Sequence, residues 1–180
     1  QRRDLVVDYE KAAELLPDIE APLVQLAKVG IDPAQRIRIL DRLLDKSPGN
    51  PLLLVHRGLA LDEAEKTGEA AKFLAEQEKA APADPRVSLA LANYHARAAD
   101  AAPAHAAYLR SIERCGGVLR REIYDAADAF AVKEKRLKAE EREALWTALW
   151  KAFPREVNAP TNAEIWFRDE GDDLAKSMEW

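Results

Sequence analysis

The feature that most constrains the fold is a pair of helix-start signals that recurs after 34 residues. In this 180-residue chain Asn50-Pro51 recurs as Asp84-Pro85. Asn and Asp accept hydrogen bonds from backbone donors at helix N-termini, and proline is favoured at the first helical position. We therefore predict that a helix begins at each of these dipeptides.

Helix-end signals keep the same interval. Pro48 and Pro82 lie 34 residues apart. A further 34 residues along the chain is Gly116, in a predicted Cys115-Gly116-Gly117 turn. Proline is common just beyond helix ends because it cannot continue the helix. Self-similarity at a fixed interval of this length indicates a repeat architecture in which each unit is one supersecondary motif.

Each interval contains two segments whose apolar residues follow the helix period. They cover residues 51–61 and 69–80 in one unit and 84–97 and 102–114 in the next. Gly58 lies inside a predicted first helix, where glycine costs about 1 kcal/mol relative to alanine. Ala70 and Ala104 hold matching places in the second helices. Each unit is thus predicted to be a hairpin of two closely crossing helices.

These units resemble the tetratricopeptide repeat (TPR). In unit 51–84 the signature places hold Leu54, Gly58, Leu61, Ala70, Leu74 and Pro82. In unit 85–118 they hold Leu91, Ala92, Ala104 and Tyr108, while His95 departs from the pattern. In unit 17–50 they hold Leu23, Val24, Leu40, Leu43 and Pro48, while Arg36 stands where a small residue is usual.

The resemblance implies an all-α fold, a right-handed α-α superhelix of about four helix hairpins with a C-terminal cap or tail. The array would cover residues 1–155. Its parts would be 1–16 as the second helix of a preceding repeat, repeats 17–50, 51–84 and 85–118, and a degenerate repeat 119–154. Residues 156–180 would form a linker and an acidic tail that contains tryptophan.

The resemblance also places a binding groove on the concave side, which the first helix of each hairpin lines. The residues projected onto it are Leu52, Val55, Leu59, Asp62, Arg86, Leu89, Asn93 and Arg97. Asn93 offers both a donor and an acceptor to an extended peptide backbone, and the two arginines can pair with carboxylates. The alternative is that the leucines form the core between repeats and the polar residues are solvated. Leu89 stands where the family's carboxylate clamp has lysine, so a chaperone-tail receptor is not expected.

All four tryptophans lie after residue 145, and two interpretations of them stay open. In the first, Trp146 and Trp150 lock the last hairpin and Trp166 folds back as a cap, since aromatic residues dominate core burial. In the second, Trp166 and Trp180 are exposed anchors for a partner, because tryptophan is enriched in binding hot spots.

Several function classes find no support in the sequence. The chain has no phosphate-binding glycine loop, no HExxH and no GxSxG motif. The three histidines, His56, His95 and His105, are spread out, and we interpret them as structural, so no metal, cofactor or catalytic residue is predicted. The net charge of −5 disfavours nucleic acid, and no apolar run is long enough for a membrane span. The chain has one cysteine, Cys115, and a chain so poor in cysteine is compatible with the cytosol and with the periplasm, so the compartment stays open.

The sequence therefore predicts a non-enzymatic interaction scaffold that binds a partner peptide or helix in the groove of a TPR array, within a larger assembly. The alternative is an accessory region of a longer enzyme or of an envelope polysaccharide-secretion protein, which the start of the chain in mid-repeat at Gln1 favours. Self-association through the open N-terminal helix or the C-terminal tail is a further expectation.

Overall fold

The computed structural model describes residues 2–80, 84–117, 119–156 and 158–169, and this part of the chain contains α-helices and no strand. The helices are α1 (Arg2–Leu15), α2 (Ala21–Lys28), α3 (Pro33–Lys46), α4 (Pro51–Glu63), α5 (Thr67–Ala80), α6 (Pro85–Arg97), α7 (Ala101–Arg114), α8 (Arg120–Lys133), α9 (Ala139–Ala152) and α10 (Asn158–Asp169). The prediction of an all-α fold is confirmed. Among the described residues, no helix combines the length and the apolar character that crossing a membrane requires.

The chain divides into two compact units, residues 1–90 and 91–180, with the boundary inside α6. In unit 1, helix α1 packs against α2 and α3, α3 packs against α4, and α4 packs against α5. The largest buried side chains of this unit are Leu26, Ile39, Leu40, Leu53 and Leu74. Helix pairs of this kind are stable only when the apolar stripe of each helix is covered by its neighbours.

The two predicted helix starts are confirmed by their hydrogen bonds. Asn50 Oδ1 accepts from the backbone N of Leu52 at 2.9 Å and of Leu53 at 3.3 Å. Asp84 Oδ1 accepts from the backbone N of Arg86 at 2.8 Å. These carboxamide and carboxylate oxygens satisfy N–H groups that have no partner within the first turn of a helix.

The turns that end α4 and α6 are built alike, 34 residues apart. Lys66 N donates to Leu61 O at 3.1 Å, and Asp100 N donates to His95 O at 2.9 Å. In each turn the residue before that donor has a positive φ, 58° in one and 62° in the other. A six-to-one hydrogen bond around a left-handed residue is the Schellman arrangement that closes many helices. The repeat interval is therefore present in the backbone as well as in the sequence.

The predicted close crossing at Gly58 is confirmed between α4 and α5. A Cβ atom on Gly58 would lie 2.6 Å from Leu74 Cδ2 on the neighbouring helix. Ala70, one helical turn earlier on α5, is fully buried. The absence of a side chain at Gly58 therefore gives Leu74 the space that it occupies.

In unit 2, helix α9 packs against α7, α8 and α10, and α8 also contacts α7 and α10. Asp128 on α8 connects three of these helices. Its Oδ1 accepts from Trp146 Nε1 on α9 at 3.0 Å, and its Oδ2 accepts from Asn162 Nδ2 on α10 at 2.8 Å. Trp146 is fully buried, so this carboxylate satisfies an indole N–H that no water reaches.

The end of the chain differs from the linker and tail expected over residues 156–180, because residues 158–169 form helix α10. Pro160 is the third residue of this helix, where backbone N–H groups lack an intrahelical acceptor in any case. Ala163 on this helix is fully buried. Trp180 and the acidic residues from Glu170 to Asp173 lie outside the described residues.

Candidate functional site

An open groove of about 370 Å³, the α6/α8 groove, lies among α6, α7 and α8 in unit 2. Its lining combines small apolar, aromatic and charged side chains. The lining residues are Asn93, Ala96, Arg97, Tyr108, Ala126, Ala129, Phe130, Lys133 and Glu134. This volume lies at the small end of the range for ligand pockets, which suits one or two side chains of a partner rather than a large cofactor.

The polar centre of the groove is a hydrogen bond between two of its helices. Tyr108 on α7 donates its hydroxyl hydrogen to Asn93 Oδ1 on α6 at 2.7 Å. Burial raises the pKa of Tyr108 to about 12, so the hydroxyl stays protonated and acts as a donor at neutral pH. The bond fixes the orientation of the Asn93 amide, whose Nδ2 group carries two hydrogen-bond donors.

The floor beside this amide is apolar. Phe130 packs against Tyr108 with ring centroids 4.9 Å apart, and both side chains are nearly fully buried. Ala126 and Ala129 lie one turn apart on α8, so they line the same side of that helix. The groove exists because alanines stand where larger side chains would fill the space between the helices.

Charged side chains line the groove where α6 and α8 end. Arg97 is the last residue of α6 and Lys133 is the last residue of α8. Next to them, Glu134 accepts from Arg136 Nε at 2.8 Å and from Arg136 Nη2 at 2.9 Å. This hydrogen-bonded arginine lowers the pKa of Glu134. The acidic group of the lining is thus paired with a guanidinium, and the two remaining charges are positive.

Comparisons with known proteins place the fold. No family model matches the sequence, and no curated protein matches it. Among eight matching solved chains is the crystal structure of MamA, a TPR-containing protein, with a TM-score of 0.52 and 13% sequence identity. The match covers 99% of this chain and 88% of that chain. The fold is TPR-like. At this level of identity the likeness concerns the fold alone.

Two of the residues predicted for the groove of this TPR-like fold, Asn93 and Arg97, line the groove in unit 2. The other six lie in unit 1: Leu52, Val55, Leu59, Asp62, Arg86 and Leu89. Leu52 is 8% exposed and belongs to the hydrophobic core that α1 to α4 form, so it is a core residue rather than a groove residue. Arg86 pairs with Asp84, the N-cap of its own helix, with Nη1 and Oδ2 3.0 Å apart.

The remaining lining residues were not predicted from the sequence. Tyr108 occupies a signature place of the repeat, and this is the sequence feature that could have drawn attention to it as a groove residue. Ala126, Ala129 and Lys133 lie on α8, in the degenerate repeat, where the projection onto a groove was not continued. Adding 34 to Leu89, Asn93 and Arg97 reaches Ile123, Ala127 and Ala131, which are fully buried, so the repeat interval would not have found them.

Trp166 lies against the surface of the TPR-like unit 2. Its ring centroid is 4.4 Å from the guanidinium carbon of Arg142 and 6.3 Å from the ring centroid of Trp146. Arg142 is 3% exposed, so Trp166 covers a charged group that is out of contact with bulk water. Trp150, which was expected to lock the last hairpin, is 49% exposed.

The three histidines have separate partners. His56 Nε2 lies 3.2 Å from Glu20 Oε1, His95 Nδ1 lies 3.5 Å from Asp100 Oδ2, and His105 Nε2 donates to the backbone oxygen of Glu141 at 2.8 Å. Within residues 2–80, 84–117, 119–156 and 158–169, no three His, Cys, Asp or Glu residues are grouped to hold a metal ion.

Proposed function

We propose that this protein is a non-enzymatic protein-interaction scaffold that binds a peptide or helical segment of a partner in the α6/α8 groove, within a larger assembly. The TPR-like fold supports this proposal, because repeat folds provide extended binding surfaces built from side chains of successive units. The oriented Asn93 amide beside the apolar floor of the groove is the observation that carries it.

The combination of an apolar floor and one positioned polar group is typical of sites that recognise a protein segment. Apolar side chains supply contact area, and a few placed polar groups fix the orientation of the bound segment. An amide side chain suits this role because a main chain presents N–H and C=O groups whatever its side chains are. Tyr108 strengthens the argument, because it holds the amide in one orientation before a partner arrives, which reduces the entropy lost on binding.

The same register supports a second contact surface in unit 1. Val55 and Leu59 lie 34 residues before Leu89 and Asn93, and both are partly exposed on α4. We include these two residues, with Asp62 on the same helix, in the proposed binding surface. Leu59→Ala and Asn93→Ala are then expected to weaken the binding of one shared partner.

The finer architecture is part of the same proposal. The pairs α2–α3, α4–α5, α6–α7 and α8–α9 fall within the predicted repeats 17–50, 51–84, 85–118 and 119–154. This agreement supports about four helix hairpins, and we propose that they follow one another in the right-handed superhelix typical of TPR proteins.

Quantitative affinity capture tests the proposed function. The tagged protein is compared with Asn93→Ala, with Ala129→Arg, which fills the groove, and with the control Ala144→Arg. Ala144 is exposed on α9, where it lines a second open pocket with Glu140 and Lys151, so the control makes the same change in charge and volume at a pocket other than the groove. Mass spectrometry should show one set of partners retained by the wild type and the control, reduced with Asn93→Ala and lost with Ala129→Arg. Equal capture by all four folded proteins would overturn the proposal.

A further inference from the structure

The α6/α8 groove carries its positive charges at one end. Arg97 and Lys133 close their helices there, four residues after Asn93 on α6 and four residues after Ala129 on α8. Residues four apart lie on the same side of a helix. The groove therefore has an uncharged section lined by Asn93 and alanines, followed by a section lined by two cations.

The acidic residue of the lining does not cancel this charge. Glu134 is held by Arg136 through two guanidinium hydrogen bonds and a third from the Arg136 backbone N at 3.0 Å. Arg136 also donates to the backbone oxygen of Ala99. Bidentate arginine–carboxylate pairs are among the stronger charge-assisted hydrogen bonds, so the Glu134 carboxylate is engaged within the protein.

The dimensions of the groove limit the length of the segment that fits it. From Ala126 to Lys133 the helix rises by about 10 Å, since each residue adds about 1.5 Å. An extended chain covers this distance with about three residues. In an extended chain every second side chain points to the same side, so two side chains that face the groove are separated by one residue.

From these observations we propose that the groove binds an extended internal segment of a partner protein in which an aliphatic residue and an Asp or Glu are separated by one residue. The aliphatic side chain packs on Ala126, Ala129 and Phe130, and the carboxylate lies between Arg97 and Lys133. The Asn93 amide bonds the main chain of the residue between them. This inference rests on the proposed function and adds the chemistry of the partner.

Terminally blocked peptides test this specificity. An array of ten-residue peptides, acetylated and amidated, presents Leu-x-Glu and Glu-x-Leu with matched Gln and Lys versions, and the strongest binder is titrated by fluorescence anisotropy. The Glu peptide should bind about fivefold tighter than its Gln version at low salt. The difference should shrink as salt rises, because screening weakens partly exposed ion pairs.

Charge reversal tests whether Lys133 contacts the acidic side chain of the peptide. Lys133→Glu should abolish the preference for the Glu peptide over its Gln version, because it leaves one cation, Arg97, beside one anion. The control Lys135→Glu makes the same change at an exposed residue that does not line the groove, and it should keep the preference for Glu. A preference that Lys133→Glu leaves unchanged would overturn the inference.

Ala129→Arg separates failure of this inference from failure of the proposed function. Suppose that the wild type binds the Glu and Gln peptides equally and that Ala129→Arg binds no peptide. The groove is then a binding site, and the proposed specificity is wrong. If peptides bind and Ala129→Arg changes none of them, both proposals fail. Absence of binding by the whole array would also overturn the inference.

Discussion

Leu74 Cδ2 lies 2.6 Å from the position that a Cβ atom on Gly58 would occupy. Leu74 is 2% exposed, so it cannot make room for a side chain at position 58 by turning into solvent. Glycine in the interior of α4 costs about 1 kcal/mol of helix stability relative to alanine, and the close contact between α4 and α5 offsets that cost. The crossing of these two helices therefore depends on a residue that local helix propensity disfavours.

Gly58→Leu should lower the free energy of unfolding by roughly 1–3 kcal/mol, since the added side chain overpacks a filled interface. Urea denaturation of wild type and variant measures this change. Gly68→Ala is the matched control, because a Cβ atom there would meet no atom within 4 Å. It should raise stability by about 0.5 kcal/mol. Equal stability of wild type and Gly58→Leu would contradict the crossing.

Ala99→Gly should stabilise the protein. Ala99 has a φ of 62°, a left-handed conformation that costs a residue with a Cβ atom roughly 1–2 kcal/mol and glycine almost nothing. We expect a gain of about 1 kcal/mol in chemical denaturation. Ala106→Gly, in the middle of α7, should instead lose about 1 kcal/mol. A loss at both positions would show that Ala99 is not in this conformation in solution.

The sequence predicted those parts of the fold that local chemistry determines. Asn50 and Asp84 are recognisable as caps because the residue type and the following proline act over three residues. Gly58 indicated a close crossing, although its partner atom on Leu74 could not be named, because that contact depends on the side-chain rotamers of a neighbouring helix. Helix α10 was not predicted, because its contacts with α8 and α9 and the bond from Asn162 to Asp128 depend on how separate helices pack.

The groove was predicted less completely, for a related reason. Asn93 and Arg97 follow from the helix period alone. The Tyr108 hydroxyl that orients Asn93 comes from another helix, and its contact depends on how α6 and α7 cross. Leu52 was predicted to line the groove, because the helix period places it on the same side of α4 as Val55 and Leu59. In the structure it packs in the core instead.

Asp128→Ala should destabilise unit 2, because it leaves the buried Trp146 indole N–H without its acceptor and removes the partner of Asn162. An unsatisfied buried donor costs roughly 1–3 kcal/mol. Asp128→Asn should be milder, since its carbonyl can still accept from Trp146 while Asn162 rotates its amide to accept from the new amide group. Denaturation followed by tryptophan fluorescence distinguishes the two. Equal losses would show that the indole hydrogen bond contributes little.

The stability of unit 1 should depend on pH through His56. Burial lowers the pKa of His56 below its ordinary 6.5. The positive charge of Arg36 lowers this pKa further, while Glu20 and Glu63 raise it by a smaller amount. The unfolded chain therefore binds this proton at a higher pH than the folded protein does. Stability linked to His56 is present above pH 6.5 and is lost as the pH falls towards the folded pKa.

The check is chemical denaturation of wild type and His56→Gln at pH 7.5, 6.5 and 5.5. The wild type should lose more stability than the variant over this range, with a difference in slope below about 1.4 kcal/mol per pH unit, the limit for one proton. Parallel pH profiles for the two proteins would show that His56 has the same pKa in both states.

The proposed function depends on the Asn93–Tyr108 pair, which would make the α6/α8 groove a binding site. The most direct measurement is a double-mutant cycle on the Kd for a captured partner, with Asn93→Ala, Tyr108→Phe and the double variant, each shown to be folded by its thermal melt. Asn93→Ala should weaken binding by roughly fivefold. Tyr108→Phe should weaken binding in the same direction, and the double variant should bind no more weakly than Asn93→Ala alone. An unchanged Kd in the folded Asn93→Ala protein would contradict the account.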